Sequence, residues 1–283
     1  MSLKLGLLAS SQQQAAPLLL DVYPGAAAAY SLRKLRTAYT GAAIRVQRSN
    51  DLAQTDIGFV NNVLDTTTLL TFIGVFNGMV VIWYDQSGNG NNAGIDPGAP
   101  KGPVIVINGV LQTQNSKPCL RFRTTVNETL LIANAITANT NISIFMTAKG
   151  DNLTSYGPLI GGSSGPPTCL FGYLAPSEKD LAYIGGLNTV GKFVTTVPDY
   201  ANTNYLIYNV IANSSNINVY QNNNTFTQTV GNISIGTTSF NRIGSYFAFF
   251  TNGIFSELIF YKTDQTSNRT GIISNTNSFY SIF

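Results

Sequence analysis

The 283-residue chain contains no histidine. His-ligated zinc, Ser-His-Asp and Cys-His catalysis and pH switching by imidazole are all excluded at once. Any catalysis must therefore run on carboxylates. Charge is scarce too: 10% of residues are Asp, Glu, Lys or Arg, against roughly a quarter in average proteins. A net charge of +3 is too dilute for the clustered cations that counterion release on nucleic acid requires, so no nucleic-acid partner is expected. The two cysteines, Cys119 and Cys169, form no CxxC metal or redox motif. Their apolar surroundings favour buried thiols over a disulfide, although both readings stay open. No stretch approaches the roughly 18 uninterrupted apolar residues of a membrane span. The run from Leu5 to Leu8 is shorter than the ~7–15-residue core of a signal peptide. With no D-x-D-x-D-G loop and no His, neither a metal nor another cofactor is expected.

Amides and hydroxyls supply the polarity that charge does not. The chain carries 30 Asn and 26 Gly, with 44% hydrophobic residues, so it has enough apolar material to fold and too little net charge to stay disordered. Residues 1–17 read as a polar arm with an apolar stub. Residues 18–283 show no linker and no repeat of 20–50 residues, which predicts a single domain. In PGAAAAYSLRKLRTAY, Ala28, Leu32, Leu35 and Tyr39 fall at helical spacing, with Arg33, Lys34 and Arg36 opposite. This spacing predicts an amphipathic helix. Asp65 ahead of TTTLLTFI predicts a capped short helix, and the last segment, residues 262–283, predicts a weak terminal one. The remainder, from AIRVQR and MVVIWYD through ISIFMTAK and YLIYNVIA to GIFSELIFY, is a series of short apolar runs bounded by Gly, Asn, Pro or Ser. That pattern predicts an all-β antiparallel sandwich, with NVYQNNNTFTQ as a hairpin.

Of the thirteen acids only Glu128, Glu178 and Glu257 are glutamates. Glycoside hydrolysis is the carboxylate chemistry to test first, since two acids suffice for it. Asp85 stands between a buried strand and QSGNGNN, as a turn cap or as an acid. Glu178 and Asp180 flank Lys179 in a charged loop, and Glu257 alternates outward from an apolar strand. Sugar binding without hydrolysis needs aromatic faces and amides. Asp85 and Asn89, with the loop aromatics Tyr156, Tyr173, Tyr200 and Tyr246, are its candidates.

The stretch AAAAYSLRKLRTAYTGAAIRVQRSNDLAQTDIGF, then LDTTTLLTFI and VVIWYDQSGNGNNA, resembles the N-terminal part of the catalytic domain of α-L-arabinofuranosidase B. The octapeptide YDQSGNGN, Tyr84 to Asn91, is its most specific part. The resemblance implies a concanavalin A-like, laminin G-like jelly roll with short helices near its N-terminus. It also implies a catalytic Asp after a late strand ending in Ile-Gly-Gly and a Glu in a strand near the middle. Here NRIGSYFAF places Ser245 and Tyr246 where that Asp is expected, and DLAYIGGLN lacks the Glu. With both acids absent or displaced, the retaining mechanism has no obvious pair, and a protein without enzymatic activity is expected.

A second resemblance uses the N-terminus. KLGLLASS followed by PLLLDVYPGAAAAYSLRKL is similar to bacteriophage virion proteins that join an arm to the same jelly roll. It implies a tail-fibre, head-fibre or decoration protein located in the particle. Its arm would dock to other virion proteins through Leu5, Leu7 and Leu8. The chain would be a homo-oligomer, trimeric as fibres commonly are, and its domain would offer a surface to host glycans. The alternatives are a hydrolase of arabinofuranosidase type using Asp85, Glu178 or Asp180, and a decoration protein without a ligand.

Overall fold

The computed structural model describes residues 17–138, 140–151, 159–162, 170–172, 180–183, 192–194, 204–213, 217–228, 238–246 and 249–283. Their principal strands are β1 (Ala26–Ser31), β2 (Ile44–Arg48), β3 (Gln54–Ile57), β4 (Gly78–Trp83), β5 (Ala93–Ile95), β6 (Val104–Ile107), β7 (Leu120–Phe122), β8 (Leu130–Ala138) and β9 (Ile142–Gly150). They continue as β10 (Leu159–Gly161), β11 (Leu170–Gly172), β12 (Asp180–Tyr183), β13 (Lys192–Val194), β14 (Leu206–Ala212), β15 (Ile217–Gln221), β16 (Asn224–Gln228), β17 (Thr238–Ile243) and β18 (Gly253–Tyr261). Three helices accompany them: α1 (Leu19–Val22), α2 (Thr66–Ile73) and α3 (Arg269–Tyr280).

These strands form the expected jelly-roll sandwich, antiparallel throughout. One long sheet runs β3-β2-β4-β5-β8-β17-β10-β11-β12-β13. The opposing sheet has β18 in its interior, with β1 and β7 along one side of it and β9-β14-β15-β16 on the other. β6 joins the two layers by pairing with both β4 and β7. Alternate residues of each layer meet between the sheets: Ile44, Trp83, Leu130, Ile160 and Ile243 come from the long sheet, and Ile144, Phe255, Leu258 and Phe260 from the other. All of these are fully buried. A smaller cluster outside the second sheet joins Leu19 and Leu20 of α1 to Ile272 and Ile273 of α3. Across a fold of this kind, burial supplies stability at about 25 cal/mol per Å² of apolar surface.

The predicted helix over residues 24–39 is corrected to a strand. Ala26–Ser31 is β1, paired with β18 from Ala26↔Tyr261 to Ser31↔Glu257. Both of its faces are covered: Ala28 and Tyr30 enter the main core while Ala26 and Ala29 enter the outer cluster. An alanine run is a good helix former, but small side chains also allow a strand to be packed on both faces, and tertiary pairing overrides propensity here. The other two helices form where expected. Asp65 caps α2 by accepting from the backbone N–H of Thr68 at 3.0 Å, and α3 closes the chain. Cys119 is a free buried thiol, while Cys169 lies outside the described residues. The predicted hairpin is β15–β16, and Asn222 at its turn takes φ 53°, a left-handed conformation that Asn tolerates better than most residues.

Candidate functional site

The strand register assembles one rim of the long sheet. Leu130 at the start of β8 pairs with Ile95 at the end of β5 and with Ile243 at the end of β17. The residues just beyond, Asp96, Thr129 and Ser245, therefore share one end of three adjacent strands. Thr129 Oγ1 lies 3.0 Å from the Ile243 carbonyl, to which it donates, and 2.7 Å from Ser245 Oγ. Asp96 accepts from the Gly98 N–H at 2.9 Å and pairs with Arg242 at 2.7 Å, reaching across β8. Glu128, 1% exposed, accepts from Arg123 Nε at 2.9 Å and also from the same guanidinium's Nη2. Burial pushes the Glu128 carboxyl above its ordinary value, against the opposing pull of Arg123. Its Oε2 accepts no hydrogen bond among the described residues. The same rim runs on through the ends of β10 and β11 to Asp180, the first residue of β12, because Leu159 pairs with Gly172 and Phe171 with Ala182.

From this rim the outer face of the sheet is read by following one row of register partners. It passes from Asp56 to Arg45, Ile82, Gly94, Leu131, Arg242 and Gly161. At its far end Arg45 grips Asp56 with two bonds of 2.8 Å, and the Tyr84 hydroxyl donates to the same carboxylate at 2.8 Å. The Arg45 hydrogen bonds hold Asp56 below the usual carboxylate range. Burial, together with the Asp56 contact, pushes the Tyr84 hydroxyl up to about 12. Gly94 leaves the row open in its middle: a Cβ there would meet only the Val81 carbonyl, at 3.8 Å.

Asp85 is fully engaged in bracing the turn after β4. Its carboxylate accepts from the N–H groups of Ala29 (2.8 Å), Ser87 (2.8 Å) and Asn91 (3.0 Å) and from Ser87 Oγ (2.7 Å). Asn89 donates to the Ala26 carbonyl at 2.9 Å. The YDQSGNGN motif therefore fastens its loop to β1. Tyr246 stacks on Phe249 with centroids 6.3 Å apart, beside Ser245 and thus near the rim. Glu257 is corrected from an outward position to a buried one, 2% exposed, since β18 is covered on both faces. It accepts from Arg33 at 2.7 and 2.9 Å and from Ser31 Oγ at 2.8 Å. Leu5, Leu7, Leu8, Tyr156, Tyr173, Glu178 and Tyr200 lie outside the described residues, and Asp180 is described in its backbone alone. Asp96 and Glu128 had no distinguishing signal in the sequence, because the ladder that brings them together links residues far apart in the chain.

Every acid with a described side chain has a partner. Besides those above, Asp21 accepts from Thr37, Asp51 pairs with Arg48, Asp65 caps α2, Asp151 pairs with Arg121 and Asp264 accepts from Thr266. The remaining acids of the sequence are Glu178, Asp180 and Asp199, all in the stretch around β12 and β13. Among the described residues no group of three or more His, Cys, Asp or Glu could hold a metal ion.

Residues 21–129 match the family described as Alpha-L-arabinofuranosidase B, catalytic. A probable α-L-arabinofuranosidase B from Aspergillus flavus is 37% identical over 107 residues, 35% of this chain and 21% of that protein. The chain thus spans about a fifth of the length of this curated relative. Among solved structures, an arabinofuranosidase complexed with arabinofuranosyl-α-1,2-xylobiose is similar with a TM-score of 0.62 at 16% identity, covering 91% of this chain and 63% of the other. An α-L-arabinofuranosidase soaked with a cyclic sulfate inhibitor is similar with a TM-score of 0.61 at 17% identity and the same coverage. At such identity the likeness shows the jelly-roll fold. Because the proteins that match are arabinofuranosidases, they overturn the expectation of a phage virion protein, its placement in a particle and its lack of enzymatic activity. The virion expectation leaned on an arm, residues 1–17, that lies almost wholly outside the described residues, and the expectation of no activity on the missing acids of NRIGSYFAF and DLAYIGGLN.

Proposed function

We propose that the chain is a glycoside hydrolase of α-L-arabinofuranosidase type, with Glu178 and Asp180 as its carboxylate pair. The observation that carries the activity is the match of residues 21–129 to the catalytic domain of that family, supported by the 91% coverage in the fold comparison. The ten acids with described side chains are held in ion pairs, caps and turns, which turns the assignment to Glu178, Asp180 and Asp199, whose side chains lie outside the described residues. A retaining mechanism needs its two carboxyl groups about 5–5.5 Å apart. β12 lies three strand spacings from β17, ~14 Å at ~4.8 Å each. A pair spread over both strands would be too wide, and Glu178 and Asp180 are instead two positions apart in the sequence. One carboxylate attacks the anomeric carbon and the other protonates the departing oxygen. Arg242 on the adjoining sheet face supplies a donor for sugar hydroxyls.

Hydrolysis of 4-nitrophenyl α-L-arabinofuranoside by the full chain tests this. Asp180→Asn and Glu178→Gln should each lower kcat by at least about a hundredfold, while Asp85→Asn, judged on the folded fraction, should not. Because nitrophenolate leaves with little proton assistance, whichever of the two variants loses less on this substrate identifies the acid, and the other the nucleophile. A wild-type chain without hydrolysis, or both variants at full rate with Asp199→Asn inactive, would remove the assignment.

A further inference from the structure

At the opposite edge of the long sheet, beside the outermost strand β3, a cleft of about 630 Å³ opens between the segment after β1 and the hairpin that follows β3. Its apolar wall is the pair Tyr39 and Phe59, edge to face with centroids 6.4 Å apart. Neither ring is loose. The Tyr39 hydroxyl donates to the Ala42 carbonyl at 2.7 Å, and the ring lies directly over Gly41, where a Cβ would stand 2.6 Å from its oxygen. Phe59 packs against the main core while staying half-buried. Burial raises the Tyr39 hydroxyl to about 12, so this wall stays uncharged.

The facing wall is the turn Asn61–Asn62, both residues in the left-handed region with φ 50° and 64° and both exposed. The turn is tied back by the Lys34 N–H, which donates to the Asn62 carbonyl at 2.8 Å. Among the described residues, neither Asn side-chain amide is hydrogen-bonded to the protein. Each therefore offers a donor and an acceptor from a backbone position that the turn fixes. Lys34 is the single charged residue lining the cleft.

We propose that this cleft is a binding subsite for a neutral oligosaccharide, separate from the catalytic rim. Rigid aromatic rings suit the C–H face of a sugar, paired donors and acceptors suit vicinal hydroxyls, and a lining with one charge suits an uncharged ligand. The choice of pentose sugars as probes rests on the function proposed above; the subsite itself rests on its own walls.

Isothermal titration of the full chain with xylotetraose and with arabinotriose tests it. The wild type should bind at least one of them. Phe59→Ala should weaken that binding about tenfold, with Phe59→Tyr restoring it. The double variant Asn61→Gly/Asn62→Gly should weaken it to a similar degree, because glycine keeps the left-handed turn and removes only the amides. If Phe59→Ala fails to fold, this second variant decides. Binding of neither sugar by the wild type, or unchanged affinity in the variants, overturns the subsite. Hydrolysis of the aryl arabinofuranoside is measured in parallel. Binding that depends on Phe59 in a chain that hydrolyses nothing keeps the subsite and removes the proposed activity. Hydrolysis with binding indifferent to Phe59 does the reverse.

Discussion

Arg33 and Glu257 meet although they stand 224 positions apart, and both are nearly sealed from solvent, with side chains 9% and 3% exposed. The Glu257 carboxylate also accepts from Thr276 of α3 at 3.2 Å, and Arg33 donates to Asn275 at 2.8 Å, so the pair fastens the last helix to the second sheet. Removing one member leaves a buried charge alone, which typically costs 3–5 kcal/mol. Glu257→Ala should therefore destabilise the protein by about 4 kcal/mol in urea unfolding, and the pair Arg33→Met with Glu257→Leu should recover most of it. A single-variant loss below about 1 kcal/mol would place the pair among the weak surface type. Glu128 gives a pH signature of the opposite kind to an ordinary ion-paired acid. Its folded value is raised by burial, so its contribution is complete below its ordinary 4.5 and is lost as pH rises through the raised value. Glu128→Gln should flatten the fall of stability on that alkaline side, as read from unfolding midpoints across pH.

At the scale of elements, β1 shows what the sequence could and could not reveal. Ala28, Leu32, Leu35 and Tyr39 do repeat at helical spacing, but the register Ala29↔Ile259 comes from a partner more than two hundred residues away, which no local window contains. Strands such as β2 and β4 and the cap at Asp65 were legible because hydrophobic alternation and capping are local signals. The same distinction covers the candidate site. YDQSGNGN was visible as a motif, and the structure explains its length: Asp85 collects three backbone N–H groups, one of them from Ala29 of β1. The rim was invisible, because Asp96, Glu128 and Ser245 are neighbours only through the ladder of β5, β8 and β17. Asp85→Ala would strand the buried Ala29 N–H, worth about 1–3 kcal/mol, and three part-buried donors. It should destabilise by about 3 kcal/mol, with Asp85→Asn losing less because one acceptor oxygen survives. Unchanged unfolding in Asp85→Ala would mean that the turn is held by its Asn residues instead.

For the whole molecule, the second sheet leaves no room for a side chain where β9 meets β18. Gly150 pairs with Gly253, and a Cβ on Gly253 would lie 2.2 Å from the Lys149 carbonyl oxygen. Gly253→Ala must push two strands apart, and overpacking of this sort costs about 1–3 kcal/mol. The expected outcome is a lower unfolding midpoint with the secondary structure intact by circular dichroism. β18 is also the strand on which β1, β7 and β9 all depend, and it follows all three in the chain. A ribosome therefore completes every neighbour of this strand before the strand itself, leaving the facing edges of β1 and β9 unsatisfied until β18 emerges. Ladders that must wait for so distant a partner close slowly, and exposed edges invite pairing between chains. Refolding yield should accordingly fall as protein concentration rises, and a chain cut short before Gly253 should aggregate rather than form a smaller sandwich.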